Sequence, residues 1–146
     1  CLLVSFNYLK KEKFNLFEYN ILILLSILGL LCFVSANDLV SFYLALELQS
    51  LCFYILATFN KDSAFSTEAG LKYFILGALS SGFLLFGISL IYGATGTTNF
   101  EILAKAIYFF DFNISSMDEI SLRIVLGSLF ILMSLFFKLT AAPFHL

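Results

Sequence analysis

One acidic side chain, Glu47, stands inside an otherwise uncharged stretch. Residues 39–60, LVSFYLALELQSLCFYILATFN, number 22, and at 1.5 Å per residue a helix of that length crosses the ~30 Å hydrocarbon core of a bilayer. Glu47 lies nine residues beyond Asp38, about 13 Å along the axis and so near mid-membrane. A charged acid at that depth costs roughly 3 kcal/mol or more unless it is protonated, paired or beside a wet cavity. Two readings fit it: a neutral carboxyl that glues helices together by hydrogen bonding, or a group that carries protons and pairs with a buried cation. Two lysines supply such cations. Lys138 follows Arg123 by 15 residues in an apolar run, roughly 22 Å along a helix, and Lys72 follows Glu68 by four in another. Each also has a plainer reading, Lys72 as an interfacial i,i+4 partner of Glu68 and Lys138 as a cation held by a helix C-terminus.

The chemistry open to such a set is proton movement. A desolvated ammonium gives up its proton more readily than one in water, and an approaching carboxylate opposes that loss. Displacing one charge therefore takes up or releases a proton at the other. Pro143 adds a second device, because it cannot donate to the carbonyl of Leu139. A helix broken there frees the carbonyls of residues 139–142 to hold Lys138 or ordered water. His145, in the sequence PFHL, is either an interfacial hydrogen-bonding residue or a proton relay beside that break.

The elements that must position these groups are membrane helices. Of the 146 residues, 61% are apolar and 12% charged, and the mean hydropathy is +1.00, well outside the range of soluble domains. The fold class is all-α integral membrane with about four transmembrane helices, at residues 19–37, 39–60, 68–93 and 120–142, and an amphipathic segment at about 100–110 on the membrane surface. Asn37-Asp38 is so short a turn that the first two spans must be antiparallel neighbours. Ser66 or Thr67 is the expected N-cap of the third span, whose Gly77, Ser80, Ser81, Gly82 and Gly87 allow close helix approach. Lys10, Lys11, Lys13 and Lys61 on one side, against Lys105 and Arg123 on the other, place the N-terminal loop on the matrix or cytoplasmic side. In that orientation Glu47, Lys72 and Lys138 share one polar layer.

Several classes are excluded. A net charge of −2 gives no electrostatic footprint for nucleic acid. Cys1, Cys32 and Cys52 have no metal-ligand spacing and read as small buried hydrophobes, and no phosphate-binding loop, Ser/His/Asp set or CxxC is present, so redox cofactors belong on other chains. The triplet at Asn113 is a glycosylation sequon that matters only in a secretory protein. A chain that begins at Cys1 and stops just after Pro143 is expected to be a piece of a longer subunit.

The segments FEYNILILLSILGLL, NDLVSFYLALELQSLCFYILA, FSTEAGLKYFILGALSSGFLLFGISLIYGATG and FFKLTAAPFH resemble the antiporter-like membrane subunits of NADH:ubiquinone oxidoreductase, respiratory complex I, which are similar to subunits of multisubunit cation/proton antiporters. The resemblance covers roughly residues 14–146. It implies an inverted-repeat subunit of two five-helix units, each with a broken helix, of which this chain carries the fourth to the first half of the seventh helix. It also implies proton-transfer roles for Glu47, Lys138, Lys72 and His145, with Glu47 paired to a lysine. It further implies a mitochondrial inner membrane or bacterial plasma membrane location, other membrane-arm subunits and a chain with the rest of the subunit as partners, and flavin, iron–sulfur clusters and ubiquinone bound elsewhere. A cation/proton antiporter subunit working without a dehydrogenase, or a structural scaffold subunit of a respiratory complex, are the alternatives.

Overall fold

The computed structural model describes residues 16–60, 63–109 and 119–139. Pro143, His145, Lys61, the lysines near the N-terminus and the Asn113 sequon lie outside these residues. Five helices run in chain order: α1 Leu16–Val34, α2 Leu39–Ala57, α3 Ala64–Thr95, α4 Phe100–Phe109 and α5 Glu119–Lys138. Four of them, α1, α2, α3 and α5, are long and apolar enough to cross a membrane. The short α4 starts where the sequence places the amphipathic segment, capped by Asn99, whose Oδ1 accepts from the Glu101 and Ile102 N–H groups at 3.0 and 3.4 Å.

The bundle is ordered by close approach along α3. A Cβ built on Gly87 would come within 2.7 Å of the Gly127 carbonyl oxygen, and one on Gly127 within 2.9 Å of the Gly87 oxygen. Two turns along, the buried Ser134 hydroxyl donates to the Ser80 carbonyl at 2.7 Å. Contacts of residue 80 with 134 and of 87 with 127 make α3 and α5 antiparallel. Small residues serve here because lipid offers no hydrophobic drive between helices, so contact area and interhelical hydrogen bonds hold them together. Leu39, Leu84, Ile88 and Ile91 form the enclosed core beside this seam, with Leu46 of α2, Leu103 of α4 and Ile131 and Leu135 of α5 packed on it. On the other side α1 packs against α2, where the Gly29 position faces the backbone of Gln49 and Ala45.

The turns are tied to each other as well. The Leu39 N–H donates to the Thr98 carbonyl at 2.9 Å and the Phe100 N–H to the Asn37 carbonyl at 3.1 Å, so Asp38 and Asn99 form an isolated antiparallel bridge. This clip satisfies backbone groups that the ends of α2 and α4 would otherwise leave unpaired.

Helix bounds differ from the sequence expectation in two places that matter. The N-cap of α3 is Ser63, whose side chain accepts from the Ser66 N–H at 3.4 Å, whereas Ser66 or Thr67 was the expected cap. The Ser66 hydroxyl instead donates to the Ala57 carbonyl at 2.8 Å, tying α3 to the end of α2. With a left-handed Gly96 closing its other end, α3 has 32 residues, about 48 Å, and so extends well past a ~30 Å hydrocarbon core. The second difference is that α2 ends at Ala57 rather than at 60; α5 is described to Lys138, and the expected continuation to 142 lies outside the described residues.

If close packing outweighs the interhelical hydrogen bond in holding α5, Gly87→Val should destabilise the assembled protein by about 1–3 kcal/mol. Ser134→Ala should cost only about 0.6 kcal/mol. Retention of the intact complex on native gels along a detergent series checks the order of the two.

Candidate functional site

The register of α3 and α5 sets the depth of Lys138. Ser134 lies beside Ser80, so Lys138, four residues on, is level with position 76 of α3. That is about 18 Å short of the α3 end at Ala64. The described part of α5 therefore ends at that level. At that level α2 contributes Glu47, and the Lys138 Nζ lies 3.9 Å from the Glu47 Oε2, with the side chains 18% and 24% exposed. Both of these atoms are enclosed, and neither makes a hydrogen bond among the described residues. The distance is within ion-pair range but beyond the 2.7–3.2 Å of a hydrogen bond. Opposite charges thus attract across a gap that no hydrogen bond locks. Lys138 is also the last residue of its helix, where the carbonyl ends favour a cation, so the helix terminus and Glu47 act on it together.

The surroundings are hydroxyl-rich. Ser50, one turn beyond Glu47, donates to the Glu47 carbonyl at 3.0 Å. Tyr43 and Tyr54 both lie within electrostatic reach of the Glu47 carboxyl. Beside the pair is a cavity of about 260 Å³, lined mostly by apolar surface, Leu46, Phe53, Phe137 and Leu139 among it, with Ser50, Tyr54 and Lys138 as polar members.

Lys72 is placed elsewhere. It pairs with Glu68 at 2.6 Å on an outward face of α3, the two side chains being 67% and 61% exposed. The common polar layer of Glu47, Lys72 and Lys138 is therefore not formed within these helices. The i,i+4 spacing of Glu68 and Lys72 favours the local pair, which lies on an exposed face of α3. The arrangement matches the plainer reading of Lys72. His145 lies outside the described residues. The sequence reading missed Tyr54 and the cavity, for which the available signal was the placement of Ser50 and Tyr54 at 3.6-residue spacing on the Glu47 side of α2. Among the described residues no group of His, Cys, Asp and Glu could hold a metal ion.

A polytopic α-helical membrane protein with a carboxylate and an ammonium opposed inside the helix bundle is the class that this fold and site define. The profile of the NADH:quinone oxidoreductase/Mrp antiporter transmembrane family matches residues 36–146, and the chain belongs to that family. It is 54% identical over 145 residues to NADH-ubiquinone oxidoreductase chain 2 of Marchantia polymorpha, covering 99% of this chain and 29% of that protein. It is 49% identical over 143 residues to NADH-quinone oxidoreductase subunit N of Paramagnetospirillum magneticum, covering 98% and 28%. Among solved structures, a chain of respiratory complex I from Thermus thermophilus superposes with a TM-score of 0.69 at 35% identity, over 88% of this chain and 26% of that one. A chain of the archaeal membrane-bound sulfane sulfur reductase gives 0.76 at 30% identity, over 89% and 25%. The chain spans under a third of the length of the curated relatives it matches.

Because Glu47 and Lys138 compensate each other, removing one should cost more than removing both. Glu47→Ala alone is expected to destabilise the assembled protein by about 3–5 kcal/mol, and adding Lys138→Met to recover most of that. Detergent-denaturation midpoints of the three variants check it.

Proposed function

We propose that this chain is part of a proton-translocating membrane-arm subunit of NADH:ubiquinone oxidoreductase, in which Glu47 and Lys138 form a charge pair whose separation is coupled to proton uptake and release. The observation that carries this reading is the enclosed 3.9 Å contact without a hydrogen bond, at the point where α5 stops. For two unit charges in a medium of effective dielectric near 20, attraction is ~4 kcal/mol at 4 Å and ~2.4 kcal/mol at 7 Å. A carboxylate that withdraws by a few ångströms therefore changes the hold on the ammonium's proton by more than tenfold. A fully hydrogen-bonded pair would resist that displacement; this one is poised for it.

Within the proposal the driving energy comes from quinone reduction elsewhere in the assembly. Flavin, iron–sulfur clusters and ubiquinone are bound by other subunits, and the partners are the neighbouring membrane-arm subunits and the polypeptide with the remainder of this one. The location is the mitochondrial inner membrane, for which the similarity to a Marchantia chain 2 protein argues, with a bacterial plasma membrane as the alternative suggested by the subunit N relatives. His145, outside the described residues, keeps its expected role as a proton relay. Lys72, paired with Glu68, is an interfacial charge that can join the path only by leaving its partner.

The family description spans antiporters too, which favours a second reading as a cation/proton antiporter subunit without a dehydrogenase. Purification of the native assembly separates the two, since co-purifying flavin and iron–sulfur absorbance belongs only to the first. The direct test is Lys138→Met in the assembled complex, with NADH-driven proton pumping and quinone reductase activity measured together. Both should fall severalfold or more with assembly intact. Unchanged pumping would remove Lys138 from the path.

A further inference from the structure

Glu47 rides on the one spanning helix, among those described, that contains neither glycine nor proline: α1, α3 and α5 each hold at least one glycine, and Leu39–Ala57 holds none. Sharp kinks need such residues or an interrupted hydrogen-bond ladder. A shift at the start of α2 therefore reaches Glu47, eight residues and about 12 Å along the axis, with little loss. The 19 residues of α2 also match the ~30 Å hydrocarbon core at 1.5 Å each, so its first residue, Leu39, stands at the membrane edge.

That end of α2 is held by α4 rather than by its own cap. The Asp38 side chain makes no capping hydrogen bond. Instead the first N–H of α2, that of Leu39, donates to the Thr98 carbonyl, and the first N–H of α4, that of Phe100, donates back to the Asn37 carbonyl. The segment that makes these bonds is itself braced. The Thr95 hydroxyl donates to the Thr97 carbonyl at 3.3 Å, and the Thr97 hydroxyl accepts from the Asn99 N–H at 3.3 Å. Side chains add to the joint: Phe100 meets Phe42 of α2 edge-on at 6.4 Å between centroids, Phe42 meets Phe33 of α1 at 4.9 Å, and Leu103 packs on the core that contains Leu39. These contacts fall in the first turn of α4, whereas Ala104, Lys105 and Tyr108 beyond it are exposed.

We propose that the backbone clip between residues 37–39 and 98–100 sets the Glu47–Lys138 separation from the membrane edge, with Phe100 as a positioning residue that acts on Glu47 through α2. Displacement of α4 is thereby displacement of Glu47. The gap of 3.9 Å is closed by no hydrogen bond, so it follows such a shift; at an effective dielectric near 20, one ångström of opening weakens the attraction about fourfold as an equilibrium constant. The inference rests on the proton-translocation reading above.

The test locks and unlocks the clip within one assembled complex. Asp38 and Asn99 face each other as the non-hydrogen-bonded pair of their bridge, for which Cα atoms stand about 4.5 Å apart, close enough for a disulfide. Asp38→Cys combined with Asn99→Cys is oxidised, assayed for protons pumped per NADH, reduced and assayed again, with the parent and Asn99→Cys alone treated alike. The disulfide should form, and the oxidised complex should pump up to about fourfold better than the same complex reduced, reversibly and at unchanged complex content on native gels. The two references should not respond. Phe100→Pro keeps a residue suited to the first position of a helix but has no N–H for Asn37, and it should pump like the reduced form. Where one of these variants fails to assemble, the other decides. Cysteines that stay reduced in the assembled complex, pumping that ignores their redox state, or parental pumping in Phe100→Pro would overturn the clip's role, and Lys138→Met run alongside shows how far that failure reaches. Pumping lost in Lys138→Met leaves the charge pair standing without the clip; unchanged pumping there removes the basis of both.

Discussion

A charge in an apolar bundle is tolerated only if something offsets its desolvation, and here Glu47 and Lys138 offset each other. Neither can be moved, neutralised or exposed without changing what the other experiences. That mutual dependence constrains the rest of the structure. Lys138 must arrive at the level of Glu47, so α5 must be held at a fixed height along α3. The Gly87–Gly127 approach and the Ser134–Ser80 hydrogen bond set that height. Pro143 limits how far the helix can continue past it.

The remaining elements keep α2 in register with this arrangement. The clip between residues 37–39 and 98–100 fixes one end of α2, and the Ser66–Ala57 hydrogen bond fixes the other to the start of α3. Held at both ends, α2 presents Glu47, Ser50 and Tyr54 to the space between α3 and α5. With both ends pinned, displacement at the pair is confined to side chains and to the gap between them that no hydrogen bond closes.

How much of this was legible in the sequence differs from residue to residue. Glu47 and Lys138 stood out because charge within an apolar run is locally visible, and the four long apolar segments followed from hydropathy alone. Lys72 carried two readings that the sequence left open, because the face of α3 it takes is set by packing; the start of α3 was likewise not fixed locally, Ser63 capping it a full turn before Glu68. Several Ser and Thr residues in KDSAFST are competent caps, and the choice among them depends on the Ser66–Ala57 contact, which is not local. The Asp38–Asn99 bridge joins residues far apart in the chain and has no local signature. Gly77 was read as one of several small residues at a helix interface; that it receives the Tyr54 hydroxyl depends on how α2 and α3 are turned toward each other.

The central claim is that Glu47 and Lys138 act as one unit, and a double-mutant cycle on proton pumping tests it most directly. Glu47→Gln, Lys138→Gln and the double variant would be compared in the assembled complex at equal assembly. If the pair is one device, the double variant should pump no worse than the weaker single variant, because either change already disables it. Losses that multiply would mean that the two residues act independently, and the contact between them would then be structural.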